Sequence, residues 1–290
     1  MVPLIPLTWS STLLALAIAA APAFAQEPPP QEKPKDLTEM SLEELLKIEV
    51  TQVYAASRYV QKISDAPATV SVITSDEIRK QGHRSLADVL RSMRGTYATY
   101  DRNYSYLGLR GFGLPTDYND RVLFLVDGHR VNDNVYDGTL FANEFVVDVD
   151  SIERVELVRG PASSLYGSNA FLGVVNVTTK RGRQLDGVET SASVGGFGSY
   201  KGRVSYGRRF ENGVELLLSG SLYVSEGQTL FYREYDDPTT GNGVTRHADG
   251  ESYSNLLARL SWSGFSLEAA YVSREKTVPT GSFGTVFPRK

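Results

Sequence analysis

Beyond Gly187 the sequence alternates apolar and polar residues over five segments of about ten residues each, and no other feature narrows the possible folds as sharply. Val188, Thr190, Ala192 and Val194 share one face of the first segment, and Tyr200, Gly202, Val204 and Tyr206 one face of the second. Val214, Leu216, Leu218, Leu222 and Val224 line the third, Leu256, Ala258, Leu260 and Trp262 the fourth, and Phe265, Leu267, Ala269 and Tyr271 the fifth. The opposite faces carry Glu189, Lys201, Arg203, Glu215, Ser219, Ser221, Asn255, Arg259 and Glu268. A period of two places successive side chains on opposite sides of a strand, so each segment reads as a long strand with one apolar face. A soluble β-sandwich alternates in the same way. Strand length, aromatic residues near the ends and the spacing of the connections favour strands that cross a membrane.

Those connections are uneven. "FENG", with Asn212-Gly213, and "SG" are tight hairpin turns, whereas Glu226–Ser252 is a long polar segment and another Gly- and Pro-containing stretch follows the fifth strand. If the first strand runs outward, both tight turns fall on the inner side and the long loops outside, as an outer-membrane barrel requires. "GGFG", between the first two strands, is a short outer connection.

The N-terminal stretch supplies the compartment. Residues 1–25 run through "STLLALAIAAAPAFA" to Ala23, Phe24 and Ala25, an A-x-A pattern that predicts an export signal peptide cleaved before Gln26, although its start lacks Lys and Arg. The chain has no Cys, so an exported product gains its stability from packing and strand pairing rather than from disulfides. Thirty basic residues against 34 acidic ones leave no positive footprint for a phosphate backbone, and nucleic acid is not an expected partner. "QEPPPQEKPKDLTEM" reads as a flexible linker, and Ser41 with Glu44 opens a short helix, so residues 26–47 carry linker and helix. Ile48–Tyr54 is a β-prone stretch.

Between these regions lies an α+β domain of mixed strands and short helices. "TVSVIT" (Thr69–Thr74) is a strand, Thr74 with Glu77 forms a capping box, and Gly82 stands where the helix should end. Ser85 caps a second helix whose Leu86, Val89, Leu90 and Met93 share one face. "RVLFLVDG", "RVELVRG" and "GVVNVTTK" are further strands, and the domain closes near "RGRQLDG".

The blocks "DAPATVSVITSDEI", "SLADVLRSMRGTY", "LGLRGFG", "RVLFLVDGHRVND" and "SIERVELVRGPASSLYGSNAFLGVVNVTTK" resemble, in this order, the plug domain of TonB-dependent outer-membrane receptors. They span Asp65 to Gly182, and the alternating strands begin where that family's barrel begins. Two departures stand out: Arg94-Gly95 where the family often has Pro-Gly, and Asn169-Ala170-Phe171-Leu172 in place of a more glycine-rich run. The resemblance implies a TonB box region at 48–64, a plug domain at 65–186 and the first strands of an antiparallel transmembrane β-barrel at 187–290. Five strands cannot close a barrel of about 22, so the sequence is expected to be a fragment or a truncated product.

What the resemblance implies about function is active, TonB-dependent uptake of a scarce extracellular ligand such as a ferric siderophore or cobalamin across the outer membrane of a Gram-negative bacterium. The expected partners are TonB with its inner-membrane energising complex, a small-molecule or metal-chelate ligand and outer-membrane lipid, with the receptor a monomer and no cofactor. Ile48, Glu49, Val50, Thr51, Gln52 and Val53 fit the TonB box, an extended stretch gripped by β-augmentation. Plug arginines Arg110 and Arg159 are expected to meet wall carboxylates, with Glu215 and Glu268 as the inward-facing candidates. Arg102, Tyr104, Tyr106, Tyr136 and Phe141, in loops at the family's plug apex, are the candidate ligand contacts. Asp133, Asp137 and Gly138 faintly resemble a calcium loop, but Val135 stands where an oxygen ligand is needed, so no metal is expected. His83, His129 and His247 are scattered and form no catalytic motif, so no enzymatic activity is expected. The competing reading is a truncated, non-transporting ligand-binding or adhesion protein of the cell envelope. A receptor that also signals transcription would need a further domain for which Gln26–Lys47 is too short.

Overall fold

The computed structural model describes residues 52–55, 61–62, 68–284 and 286–287. The expected signal peptide, linker, Ser41 helix and Ile48–Thr51 lie outside the described residues.

Sixteen strands and four short α-helices are described, in two main sheets and three small pairs. In chain order the strands are β1 (Gln52–Val53), β2 (Gln61–Lys62), β3 (Thr69–Thr74), β4 (Thr96–Tyr100), β5 (Ser105–Leu109), β6 (Val122–Val126), β7 (His129–Arg130), β8 (Ile152–Arg159) and β9 (Gly173–Thr179), then β10 (Gly187–Gly195), β11 (Ser199–Arg209), β12 (Glu215–Ser225), β13 (Leu230–Phe231), β14 (Val244–Thr245), β15 (Glu251–Trp262) and β16 (Phe265–Lys276). The helices are α1 (Ser75–Gln81), α2 (Leu86–Ser92), α3 (Ser163–Tyr166) and α4 (Gly182–Leu185).

The first sheet has the order β3-β8-β9-β6-β7, antiparallel throughout except for the parallel pair β6/β9. β6 reads VLFLV and is buried at every position because both faces are covered. Phe124 joins the larger core with Ile78, Leu90, Phe141 and Leu157, while Leu123 and Leu125 pack on the other face with Ala55, Val158 and Val174. The turn from β6 to β7 is Asp127-Gly128, both at positive φ, the backbone that a two-residue hairpin of this twist requires. Both helices form where their caps predict. The Thr74 amide donates to Glu77 Oε2 at 2.8 Å, and the Glu77 amide donates back to Thr74 Oγ1. Ser85 and Asp88 repeat the arrangement for α2, whose Leu86, Val89 and Leu90 are buried.

The second sheet, β10-β11-β12-β15-β16, is an antiparallel wall whose strands pair in chain order, with the small β13/β14 pair set in the long connection between β12 and β15. The expected apolar faces point outward: Val188, Val194, Tyr200, Val204, Leu218, Leu222, Leu256, Trp262, Phe265, Leu267 and Tyr271 are all exposed. Arg203, Ser205, Glu215, Ser219, Ser221 and Asn255 are buried on the inner face, against the α+β unit. Leu217 and Leu257 of the wall join that unit's core, each contributing roughly 2 kcal/mol of apolar burial. The tight turns at Phe210–Gly213 and Ser263-Gly264 lie beside Arg181–Arg183, where the chain leaves the α+β unit for the wall. At the opposite end, Arg274 of β16 donates to the Asn103 carbonyl in the β4–β5 turn.

Where the chain crosses from unit to wall, two glycines face each other. A Cβ on Gly182 would stand 2.1 Å from the Leu216 carbonyl oxygen, and one on Gly207 would stand 2.8 Å from the Gly182 carbonyl oxygen. Both obstacles are backbone atoms, which do not swing aside. Gly182→Ala is therefore expected to destabilise the folded protein by about 1–3 kcal/mol, read as a lower urea midpoint for the purified protein. An unchanged midpoint would show that the backbones can separate without cost.

Candidate functional site

The α+β unit is held to the wall by a series of ion pairs, most of them from wall cations to carboxylates of the unit, with one, Arg183 to Glu215 at 3.9 Å, in the opposite direction. Arg259 of β15 reaches Asp127 in the β6–β7 turn at 2.9 Å, Thr179 Oγ1 at 3.0 Å and Glu268 on the neighbouring strand at 3.1 Å. Lys201 of β11 lies 3.0 Å from Asp148 and 3.2 Å from Asp150. Arg203 is 3.6 Å from Asp150 and also pairs with Glu189. Arg274 lies 3.6 Å from Glu144 and 2.5 Å from Glu251. Neutral contacts complete the seam: Ser151 Oγ donates to Ser219 Oγ, and Asn255 Nδ2 donates to the carbonyls of Phe145 and Val146.

Arg110 and Arg159 do not meet Glu215 or Glu268 among the described residues, which corrects the pairing expected from sequence. Arg159 instead donates to the Arg94 carbonyl and to Ser71 Oγ within its own unit. Burial, with Arg110 and Arg94 close by, lowers its pKa from the ordinary arginine value. Arg110 is exposed beside Gly160. Glu215 accepts from the Arg183 amide at 3.0 Å and lies 3.9 Å from the Arg183 guanidinium, and Glu268 serves as the second partner of Arg259.

A second feature concerns the N-terminal end of the described chain. Gln52 and Val53, the last two residues of the expected TonB box, pair as β1 with β2, and Val53 is buried. Immediately after them the amides of Tyr54 and Ala55 donate to one oxygen of Glu156 at 3.1 and 2.8 Å. Arg154 Nε donates to the other oxygen at 2.9 Å, and Tyr166 Oη donates to the Ala55 carbonyl. Glu156 is 0% exposed, and these contacts satisfy its charge inside the fold. Nothing in the sequence marks Glu156 for this role, because its partners are backbone groups about a hundred residues away.

The third feature is a cleft of about 670 Å³ lined by Tyr104, Asp117, Tyr118, Asp133, Tyr136, Thr139 and Glu144 among others. Of the expected ligand contacts, Tyr104 and Tyr136 lie on it. Tyr106 is buried, donates to Asp101 Oδ2 and packs edge-on against Tyr118. Arg102 is 3.7 Å from Asp249 of the long loop. Phe141 is corrected outright: it is 0% exposed and stacked on Phe124 in the core, so no ligand reaches it. The cleft walls are tied together by buried Asn119, whose Oδ1 accepts from the Leu107 amide and whose Nδ2 donates to the carbonyls of Ser105 and Thr139. Thr116, Tyr118 and Asn119 all hold positive φ here, a strained run maintained by that network. Asp133 accepts from the amides of Val135, Tyr136 and Gly138, and these bonds hold its carboxyl below the usual range. Burial raises the Glu144 carboxyl, with Arg274 opposing the shift.

Arg259 is the sharpest test of the seam. Arg259→Gln leaves Asp127 largely buried without its cation, a loss on the order of 3 kcal/mol, and is expected to make the α+β unit newly sensitive to protease in intact outer membranes. A digestion pattern identical to the parent's would remove Arg259 from the seam.

Known proteins place these features. The TonB-dependent Receptor Plug Domain matches residues 62–174. The chain is 34% identical over 214 residues to the vitamin B12 transporter BtuB of Vibrio vulnificus, covering 73% of this chain and 32% of that protein. It is 34% identical over 142 residues to an iron-regulated outer membrane virulence protein of Vibrio cholerae, covering 48% of this chain and 21% of that one. The alcaligin outer-membrane receptor FauA of Bordetella pertussis shares the fold, with a TM-score of 0.57 at 16% identity over 79% of this chain and 36% of that one. The chain thus spans about a third of the length of the first of these relatives and about a fifth of the second. With a plug sheet seated against strands whose outer face is apolar, the chain belongs to the TonB-dependent receptors of the Gram-negative outer membrane.

Proposed function

We propose that the chain is the plug and first wall strands of an active transporter that takes up a scarce extracellular ligand, a cobalamin or a ferric siderophore, through TonB and its inner-membrane energising complex. The observation that carries this reading is the nature of the plug–wall seam. Ion pairs and hydrogen bonds dominate it, on the polar inner face of the wall. Such contacts hold a plug at rest and exchange for water when it moves, which a continuous apolar interface would not permit. Ile48–Val53 is the proposed TonB box, and the two bonds from Tyr54 and Ala55 to Glu156 tether its end to the plug. The names of the two relatives, one a vitamin B12 transporter and one iron-regulated, support the two ligand classes. A non-transporting envelope protein is the other reading, and uptake separates the two.

The assay is accumulation of radiolabelled cobalamin and of iron-loaded siderophores by cells that carry or lack the gene. Gene-dependent accumulation that also requires TonB is expected; accumulation that ignores both would overturn the proposal. Val50→Pro removes a backbone donor and fixes φ, so it should abolish uptake while ligand binding persists, and normal uptake would displace the TonB box from Ile48–Val53. For the tether, charge-assisted bonds of roughly 1.5–3 kcal/mol each are at stake in Glu156→Ala. That variant should raise the mobility of a spin label on a cysteine introduced at Gln52 and its cross-linking to TonB, with Glu156→Gln intermediate. These 290 residues hold no native Cys to compete for the label.

A further inference from the structure

The outer face of the wall is largely apolar, and near its lower end one cation interrupts it. Arg208, second from the end of β11, follows Val204 and Tyr206 at a spacing of two and so shares their face. Its row continues across the strands through Leu216, Leu260 and Leu267. Arg208 is exposed, and none of its side-chain N–H groups meets an acceptor or a carboxylate among the described residues. Its guanidinium lies 5.8 Å from the centre of the Phe210 ring, a contact that leaves those donors free. Short turns mark the periplasmic side of such a wall and long connections the outer side. Arg208 stands just before the tight turn at Phe210–Gly213, and Trp262 and Phe265, both exposed, face each other across the neighbouring turn. An arginine among rings at the end of an apolar band reaches the level where lipid phosphates begin.

Deeper in the band, an apolar groove of about 550 Å³ starts at Tyr206, one row above Arg208, and passes between Leu218, Leu256 and Tyr271. Gly220 and Ala269 lie in it. A Cβ on Gly220 would stand 3.2 Å from Leu256 Cδ2, so the depression exists because that position carries no side chain. Hydrocarbon suits the groove, and an anion suits the cation below it; a phospholipid presents both, in that order along its length. A second copy of this chain fits less well. On the described strands the outer face carries one other charged residue, Glu275, at the opposite end of β16. A neighbour standing upright in the same membrane would therefore bring apolar side chains or another Arg208 to this level, and no carboxylate.

We propose that the wall's outer face holds a site for an anionic phospholipid of the periplasmic leaflet, with its phosphate at Arg208 and one acyl chain in the groove beside Gly220. The guanidinium donates to the phosphate oxygens, and the chain covers apolar surface that Leu218, Leu256 and Tyr271 leave open between them. A net negative headgroup is preferred to a zwitterionic one, because this end of the face has a cation to attract it and no carboxylate to meet an ammonium. The site depends on the placement of the wall in the outer membrane and not on the uptake reading.

The test is native mass spectrometry of the protein as its gene encodes it, purified from outer membranes in detergent and stripped of lipid. Phosphatidylglycerol and phosphatidylethanolamine with identical acyl chains are then added in equal amounts. The anionic lipid is expected to be retained about fivefold more than the zwitterionic one. Arg208→Gln should erase that preference and Arg208→Lys should keep most of it. Ala269→Leu, which fills the groove from an exposed position, should lower the retention of both lipids and leave the preference in place. Equal retention of the two lipids by the parent protein, or a preference that survives Arg208→Gln, would overturn the proposal. Retention indifferent to Ala269→Leu would remove the groove from it, and a dimeric mass without bound lipid would give the face to a second copy instead. The comparison of lipids on the parent protein needs no variant, so it decides the matter even if a variant misfolds. No readout involves uptake, and failure here leaves the transporter reading as it stands.

Discussion

Every backbone amide and carbonyl in the wall must find a partner within the protein, because lipid offers none. That single requirement fixes the strands, their antiparallel pairing and the separation of faces, with Val204, Leu256 and Tyr271 turned outward and Arg203, Ser219 and Asn255 turned in. An inner face built this way is polar, so whatever fills it must answer with polar groups of its own. The plug does so with Asp127, Asp148, Asp150 and Glu144. Its seating is thus a consequence of how a strand survives in a membrane.

Much of this was legible in the sequence because it is local. Alternation at period two fixed the faces of β10 to β16, and the Thr74 and Ser85 caps fixed the starts of two helices. Lys201, Arg203 and Arg259 could be placed on the inner face for the same reason. Their partners could not, since a pair such as Arg259 and Asp127 depends on how two separately folded sheets meet. The expected partners differ on that point: Arg159 is used inside the plug, and Glu215 meets another plug arginine, Arg183. Phe141 was misread for a related reason, because a loop residue in an aromatic-rich stretch looks exposed until the stack on Phe124 is seen.

The arrangement of the tether and the seam has a mechanical meaning. Tyr54 and Ala55 hang from β8 by a few bonds at Glu156, whereas the plug meets the wall at Asp127, Asp148, Asp150, Ser151, Glu144 and the Phe145–Val146 carbonyls. Under tension applied at the N-terminal side, the first group is a link in series and the second a set of links in parallel. Links in series each bear the full load, while parallel links divide it. The fold therefore sets an order of rupture for any such load: the short segment would detach before the plug shifted against the wall.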